Sequence, residues 1–252
     1  MKSVIIIPAR YGSSRYKGKP LILINKVPLV IRVVRKCIIA FNRNDVFVAT
    51  DNVVIANTVK NYGYNYIMTS KNNLTGTDRV AEASKQVNAD IIINVQGDEP
   101  LIKPEDIKKV LRYKKKYQNH IICAYCQLKD DENPNRRSIP KVVFNEINEL
   151  IYISRNKIPV SKKIDEKIKY FKQVCIYAYT KKELNSFKNF TRKSKLEKIE
   201  DIELLRFFEV NKKIKMVKVS NSSVAVDEPS DKKKVEKILN EKKNQKDSSD
   251  RC

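Results

Sequence analysis

Apolar runs alternate with helix-like segments through the first half of the chain, and this alternation limits the possible folds more than any other feature. The run at 3–7 is continuously apolar, as expected of a parallel strand that is covered on both faces. Strand–helix alternation predicts a doubly wound, mostly parallel α/β sheet, with ligands bound beyond the carboxyl ends of its strands. The predicted strands are 3–7, 46–49, 64–68 and 91–95, and the predicted helices are 27–41, 52–62, 77–86 and 104–117.

The pattern changes after about residue 128, where shorter β-like segments are separated by polar stretches. We expect residues 1–242 to form one domain, with an inserted β-rich lobe at about 129–180. Helices are expected at 182–190, 197–208 and 231–241, and the polar end at 243–252 is expected to be disordered.

Composition limits the classes of function. The formal net charge is +23 at pH 7, which raises the possibility of a nucleic-acid-binding protein. The lysines are spread along the whole chain, without interleaved aromatics that would form a stacking platform. We therefore expect no nucleic-acid partner and attribute the charge to solvated faces that attract anionic substrates.

Targeting and cysteine content agree with a cytoplasmic protein. No stretch of 18 apolar residues is present, so we expect no stable membrane insertion. The five cysteines are irregularly spaced, which argues against a disulfide framework.

The loop after the first strand carries a cluster of cations around two glycines. It reads PARYGSSRYKGKPL over residues 8–21 and contains Arg10, Arg15, Lys17 and Lys19. Glycines allow backbone N–H groups to approach phosphate oxygens, and the cations neutralise those oxygens. The loop matches neither a Walker A motif nor G-x-G-x-x-G, so the residues themselves indicate only a phosphate-binding loop.

Two aspartates follow apolar stretches far apart in the sequence. Asp98 lies in NVQGDEP (94–100), after the most apolar strand, and Asp227 lies in AVDEPSD (225–231). Magnesium on a substrate phosphate takes one or two carboxylates plus phosphate oxygens and water. We expect the two aspartates to share a Mg²⁺ site. The segment TGTDR (75–79) either reads a nucleotide base or caps a helix, and its residues leave both readings open.

These motifs, together with VATD (48–51) and LEKIEDIELLR (196–206), occur in one order along residues 1 to about 240. As a set they resemble the 3-deoxy-manno-octulosonate (Kdo) cytidylyltransferases, or CMP-Kdo synthetases. The resemblance implies a nucleotidyltransferase fold whose inserted β lobe serves dimerisation, with CTP and an acidic keto-sugar as substrates and Mg²⁺ as cofactor.

The resemblance also implies roles for individual residues. The residues expected to bind the nucleotide are Ala9, Arg10, Gly12, Lys19, Thr50, Asp51, Thr77 and Arg79. Those expected to contribute to catalysis are Arg10, Arg15, Lys19 and Asp98, and those expected to hold the metal are Asp98 and Asp227. Those expected near the sugar are Gln96, Arg155, Gln173 and Glu200.

The chain departs from the family pattern at two sugar-associated segments. Gln173 stands where the family usually has His in H-L-G-[IV]-Y, and Leu204 stands where it usually has Gln in L-E-Q-L-R. The nucleotide and metal motifs are untouched. Transfer from CTP is therefore the expected chemistry, while the alternatives are another 2-keto-3-deoxy sugar acid or a paralogue that binds CTP with reduced catalysis.

Overall fold

A nine-stranded sheet forms the centre of the computed structural model, which describes residues 1–12, 16–163, 167–221 and 224–249. Seven strands follow the order β11-β7-β10-β6-β1-β4-β5, and β8 and β9 extend the sheet beside β10. The strands are β1 (Ser3–Ala9), β2 (Leu23–Ile24), β3 (Val27–Pro28), β4 (Val46–Thr50), β5 (Asn65–Met68), β6 (Ile91–Val95), β7 (Ile121–Gln127), β8 (Lys141–Phe144), β9 (Leu150–Ser154), β10 (Phe171–Thr180) and β11 (Ile214–Lys218). β2 and β3 form a separate small hairpin.

Helices cover both faces of the sheet, as the alternating sequence pattern predicts. They are α1 (Leu29–Ala40), α2 (Val53–Asn61), α3 (Gly76–Ser84), α4 (Pro104–Lys116), α5 (Lys181–Lys188), α6 (Lys195–Glu200), α7 (Leu204–Glu209) and α8 (Pro229–Ser249). One apolar layer packs α1, α2 and α4 against the sheet, and the other packs α3, α5 and α7. The α/β prediction is confirmed, with β1, β4, β5 and β6 mutually parallel.

The predicted lobe differs from the observed one at its end. The sequence places 174–179 in the lobe, whereas β10 lies in the central sheet, antiparallel to both β6 and β7. Alternate residues of 174–179 face the two apolar layers. In the sequence, this segment therefore looks like any other short strand. β8 and β9 form the lobe's hairpin, which joins the main sheet through β10.

The predicted helix 197–208 is in fact two helices. α6 ends at Asp201, whose φ of 50° is left-handed, and α7 begins at Leu204. Asp tolerates this conformation because its short side chain hydrogen-bonds locally. Arg155 donates to the carbonyls of Glu200 and Asp201, and so satisfies backbone acceptors left open at the end of α6.

The last helix also exceeds its predicted length. α8 runs to Ser249, whereas the sequence places its end near 241 and a disordered segment from 243. The small apolar cluster of Ile24, Leu29, Leu101, Val226 and Val235 packs the start of α8 against the β2–β3 hairpin. In the described part of the chain, no helix combines the length and the apolar character needed to cross a membrane.

Candidate active site

A cleft of about 550 Å³ opens at the carboxyl ends of β1 and β6. Its floor includes Ala9 and Arg10 after β1 and Gln96, Gly97 and Asp98 after β6. β1 and β6 are parallel neighbours, so the loops that leave them meet at one edge of the sheet. This is the place where doubly wound sheets bind their ligands.

Lys19 joins the two predicted metal-binding aspartates. Its ammonium Nζ lies 2.7 Å from Oδ2 of Asp98 and 3.0 Å from Oδ1 of Asp227. A backbone hydrogen bond of 2.9 Å from Val226 N to Asp98 O aligns the two carboxylate segments. Asp231 receives hydrogen bonds from the backbone N–H groups of Asp227 and Glu228, which fixes the second segment at the start of α8.

The charge state of Lys19 follows from this geometry. Burial by itself disfavours the ammonium, but attraction and hydrogen bonds from Asp98 and Asp227 outweigh it, so the pKa of Lys19 is raised. Lys19 is therefore a fixed cation beside the predicted phosphate-binding loop. Arg10 lines the same cleft, whereas Arg15 lies outside the described residues.

The carboxylates of Asp98 and Asp227 form a donor set that suits a hard divalent cation. Two carboxylates on one side of an open cleft, with room for phosphate oxygens and water, are the ligands that this ion prefers. Among residues that the structure describes, no group of three or more His, Cys, Asp or Glu side chains is placed to enclose a metal ion. The geometry thus suits a metal shared with a bound phosphate rather than an all-protein cage.

Glu99 is a further carboxyl group that lines the cleft. It is buried at 4% exposure, and its Oε1 accepts a 3.4 Å hydrogen bond from the backbone N–H of Cys175. Burial first, and repulsion by Asp98 second, raise the pKa of Glu99 to about 7. Its Oε2 has no hydrogen-bond partner within the described ranges. In the sequence, Glu99 is notable only as the neighbour of Asp98, because its burial depends on the tertiary fold.

The predicted nucleotide residues fall into two groups. Ala9, Arg10, Lys19 and Arg79 line the cleft. Thr50, Asp51 and Thr77 lie behind this surface: Thr50 is fully buried and Thr77 is 1% exposed. Asp51 pairs with Arg79 at 2.9 Å, and Thr69 accepts a hydrogen bond from the same guanidinium, so these side chains fix the position of Arg79. Gly12 lies on the loop that follows β1, with open space around its Cα.

TGTDR caps α3, which is one of the two roles that the sequence left open. Thr75 caps α3 by accepting a hydrogen bond from Asp78 N, and Asp78 pairs with the fully buried Arg206 of α7 at 2.7 Å. Arg206 also donates to both oxygens of Glu197. This network holds the first turn of α3 against α6 and α7. Of the four polar residues in the motif, Thr75 and Arg79 line the cleft.

The residues expected near the sugar differ in their position relative to the cleft. Gln96 and Gln173 line the cleft, but Glu200 does not; its carboxylate accepts from Ser154 Oγ and Arg155 N instead. Glu203 takes the place at the cleft. Its two oxygens accept hydrogen bonds from Gly76 N at 3.0 Å and Thr77 N at 2.7 Å.

The break between α6 and α7 explains why Glu203, and not the expected Glu200, lines the cleft. A continuous helix over 197–208 gives no reason to prefer Glu203 to Glu200. The left-handed Asp201 turns the chain, which points Glu203 at the N-terminus of α3. Leu204, the second departure from the family pattern, is buried in the apolar layer and is 2% exposed.

Arg155 lines the cleft but its donors are already engaged. Its Nε, Nη1 and Nη2 donate to the backbone carbonyls of Glu200, Arg137 and Asp201. The side chain thus ties the lobe to the α6–α7 turn. Its expected role at the sugar remains a prediction.

Comparison with known proteins agrees with the motifs. The family model described as Cytidylyltransferase matches residues 4–214. The chain belongs to the cytidylyltransferase family. The 3-deoxy-manno-octulosonate cytidylyltransferase of Escherichia coli is 35% identical over 238 residues, which cover 94% of this chain and 96% of that protein. The 8-amino-3,8-dideoxy-manno-octulosonate cytidylyltransferase of Shewanella pealeana is 36% identical and covers 92% of this chain and 96% of its own length.

Solved structures agree at the level of the fold. A CMP:2-keto-3-deoxy-manno-octonic acid synthetase complexed with CTP superposes with a TM-score of 0.86 at 34% identity, over 96% of this chain and all of that one. A putative glucose-1-phosphate thymidylyltransferase from Bacillus anthracis superposes with a TM-score of 0.64 at 15% identity, covering 94% of each chain, which shows a shared fold only. The expected nucleotidyltransferase fold is confirmed.

Proposed function

We propose that the chain transfers CMP from CTP to the anomeric hydroxyl of 3-deoxy-manno-octulosonate and releases pyrophosphate. The observation that carries this proposal is the meeting of Lys19, Asp98 and Asp227 at one point of the cleft. Relatives whose names state this reaction cover more than nine-tenths of the chain at 35–37% identity.

The reaction requires little covalent chemistry from the protein. The anomeric oxygen of the sugar forms a bond to the α-phosphorus of CTP, the bond from that phosphorus to the bridging oxygen breaks, and pyrophosphate leaves with the electron pair. The hydroxyl proton passes to solvent. Phosphoryl-type transfers of this kind depend on positioning and charge neutralisation.

Each side chain has a role in that scheme. Arg10 and Lys19 neutralise the triphosphate and the charge that grows on the leaving group. Asp98 and Asp227 would hold Mg²⁺, which supplies charge neutralisation at the phosphate and lowers the pKa of a bound hydroxyl. Gln96 and Glu203 form the wall beside the N-terminus of α3, where we place the sugar.

A second sugar acid is a specific alternative. The Shewanella relatives are named for the 8-amino-3,8-dideoxy sugar and match as well as the Kdo enzymes do. In this chain Gln173 and Cys175, neighbours on one face of β10, both line the cleft. The alternative keeps the CTP chemistry and changes only the group recognised at the far end of the sugar.

One assay separates these possibilities. Purified protein is mixed with CTP, Mg²⁺ and either Kdo, its 8-amino-3,8-dideoxy analogue or another 2-keto-3-deoxy sugar acid, and pyrophosphate is measured. Release with Kdo as the preferred substrate supports the main proposal, and preference for the amino sugar supports the alternative. Tight CTP binding without release with any sugar would contradict both and indicate a paralogue with reduced catalysis.

We further propose a cytoplasmic homodimer. Cys37, Cys123 and Cys126 are free and buried, which suits a reducing compartment.

The proposed dimer surface lies on the lobe. β9 contacts β8 on one side, and the lobe exposes Ile147 at 59% and Ile151 at 57%. An apolar edge of this kind is suited to cover by a second copy. Light scattering should give the mass of a dimer, and Ile151→Lys should shift it to a monomer.

A further inference from the structure

The proposed substrate places a strong demand on one wall of the cleft. In a 2-keto sugar acid the carboxylate is bonded directly to the anomeric carbon. When the anomeric hydroxyl reaches the α-phosphorus of CTP, that carboxylate comes close to Asp98 and Asp227. Like charges at close range cost several kcal/mol unless a cation compensates them. A cation near these aspartates is therefore needed to offset the repulsion, in addition to the metal.

Several of the cations that line the cleft are already paired. Arg155 donates to three backbone carbonyls. Lys172 pairs with Glu132, and Lys193 pairs with Asp201 at 2.6 Å. Using any of these for the substrate would break contacts that build the wall itself.

Arg136 is differently placed. It lines the cleft with Asp227 and Asp231, and its side chain is 48% exposed. Its Nη2 lies 3.7 Å from Asp231 Oδ1 and 4.0 Å from Glu228 Oε2, both beyond hydrogen-bond range. Among the described residues, none accepts a hydrogen bond from this guanidinium. Its N–H donors are therefore available to a ligand, although the group makes two long ion-pair contacts.

The backbone that carries Arg136 is held firmly. Ile139 N donates to Arg136 O at 3.1 Å and closes a turn. The fully buried ammonium of Lys141 donates to the carbonyls of Arg136, Ile139 and Arg155. A firmly held backbone beneath a loosely paired guanidinium reduces the entropic cost of binding an anion.

We propose that Arg136 binds the carboxylate of the sugar acid, and thereby selects an acidic sugar over a neutral one. The proposal rests on the proposed function. Arg is suited to this task because its planar fork matches both oxygens of a carboxylate. The existing contacts to Glu228 and Asp231 cost little to exchange, because both lie beyond hydrogen-bond range and Asp231, although buried, keeps the hydrogen bonds from two backbone N–H groups.

The test uses Arg136→Gln, with Arg137→Gln as the matched control. Arg137 is the adjacent arginine; it is exposed and absent from the cleft lining. Initial rates are measured with the preferred sugar acid and with its carboxamide, while CTP is varied separately. R136Q should raise the KM for the sugar acid at least ~10-fold, equivalent to 1.4 kcal/mol, and leave the KM for CTP within about 2-fold, as for an uninvolved surface site. R137Q should match the wild type.

The carboxamide distinguishes recognition from a structural effect. Replacing the carboxylate should impair the wild type and R137Q by a similar factor, and should add little to R136Q. Arg136→Lys should restore part of the loss. Equal carboxamide penalties in R136Q and wild type would overturn the proposal, as would a KM effect carried instead by Lys129→Gln or Lys234→Gln. If the wild type itself released no pyrophosphate with any sugar acid, the proposed function would fail first.

Discussion

Lys19 and Asp227 are separated by 208 positions in the sequence, yet the ammonium of one lies 3.0 Å from the carboxylate of the other. The contact is possible because the chain returns along residues 224–227 to the loops that follow β1 and β6. The return places the two acidic motifs and the basic loop around a single point. The proposed chemistry depends on that convergence.

Substitution of Lys19 should weaken binding of the nucleotide and leave the fold intact. Lys19→Met removes the fixed cation, so we expect the KM for CTP to rise at least ~10-fold, as when one charge-assisted contact is lost. Lys60→Met is the control, because Lys60 is an exposed lysine of α2 outside the cleft lining. Steady-state pyrophosphate release measures both variants. Equal KM values for CTP in the two would contradict the assignment.

Gly76 keeps the sugar wall in place. A Cβ at this position would lie 3.1 Å from Gln96 Nε2 and 3.4 Å from Glu203 Oε1, which is tighter than ordinary contact. Gly76→Ala should displace the flexible end of Gln96 and raise the KM for the sugar several-fold, with the KM for CTP unchanged.

Thermal unfolding separates this effect from misfolding. Alanine favours a helix over glycine, by up to ~1 kcal/mol in a helix interior, so the melting temperature should not fall. Normal kinetics in Gly76→Ala would contradict the placement of the sugar beside Gln96 and Glu203.

Glu203 gives a pH signature. Burial raises the pKa of Glu203 above 4.5, although hydrogen bonds from Thr77 and Gly76 oppose the shift. The folded state therefore binds the proton more tightly than the unfolded state. The free energy of unfolding contributed by Glu203 is largest below pH 4.5 and falls as pH rises through the raised pKa.

The prediction is a difference in slope. From urea unfolding between pH 4.5 and 8, the stability of the wild type minus that of Glu203→Gln should decrease with rising pH. A constant offset between the two proteins does not affect this sign. A flat or rising difference would show that the N–H groups of α3 stabilise the ionised carboxylate more than burial destabilises it.

Substitution of Arg206 should destabilise the protein more than substitution of any other polar residue discussed here. Its guanidinium is fully buried between Asp78 and Glu197. Removing one partner of a buried charge network leaves the others uncompensated, at a cost of about 3–5 kcal/mol. Arg206→Met should lower the free energy of unfolding by that amount in denaturant titrations. Arg192→Met, at an exposed arginine, should change it by less than about 0.5 kcal/mol; comparable losses would contradict the network.

The sequence predicts the parts of this protein that depend on local order. The apolar strand Ile91–Val95 and the proline-started helix α4 are found where the pattern predicts them. The basic loop and the Asp98 motif could be identified because each follows a buried strand, and β1 and β6 are parallel neighbours whose ends meet. Asp227 follows only a short apolar stretch without strand structure, and the backbone hydrogen bond from Val226 N to Asp98 O places it at the site.

Long-range contacts account for what the sequence could not predict. β10 belongs to the central sheet because it pairs with β6 and β7, and its residues carry no sign of those partners. The choice between Glu200 and Glu203 depends on one left-handed residue, Asp201, within an apparently continuous helix. The engagement of Arg155 by three backbone carbonyls and the availability of Arg136 are likewise visible only after folding.

The claim that Asp98 and Asp227 serve one catalytic site is tested most directly by the double variant Asp98→Asn/Asp227→Asn. Each single variant should lose at least ~100-fold in turnover, as expected for one essential electrostatic contact. Because residues that act as a unit are not additive, the double variant should be no more than about 3-fold slower than the worse single one. Losses that multiply, or a single variant with near-normal rate and Mg²⁺ dependence, would contradict the shared site.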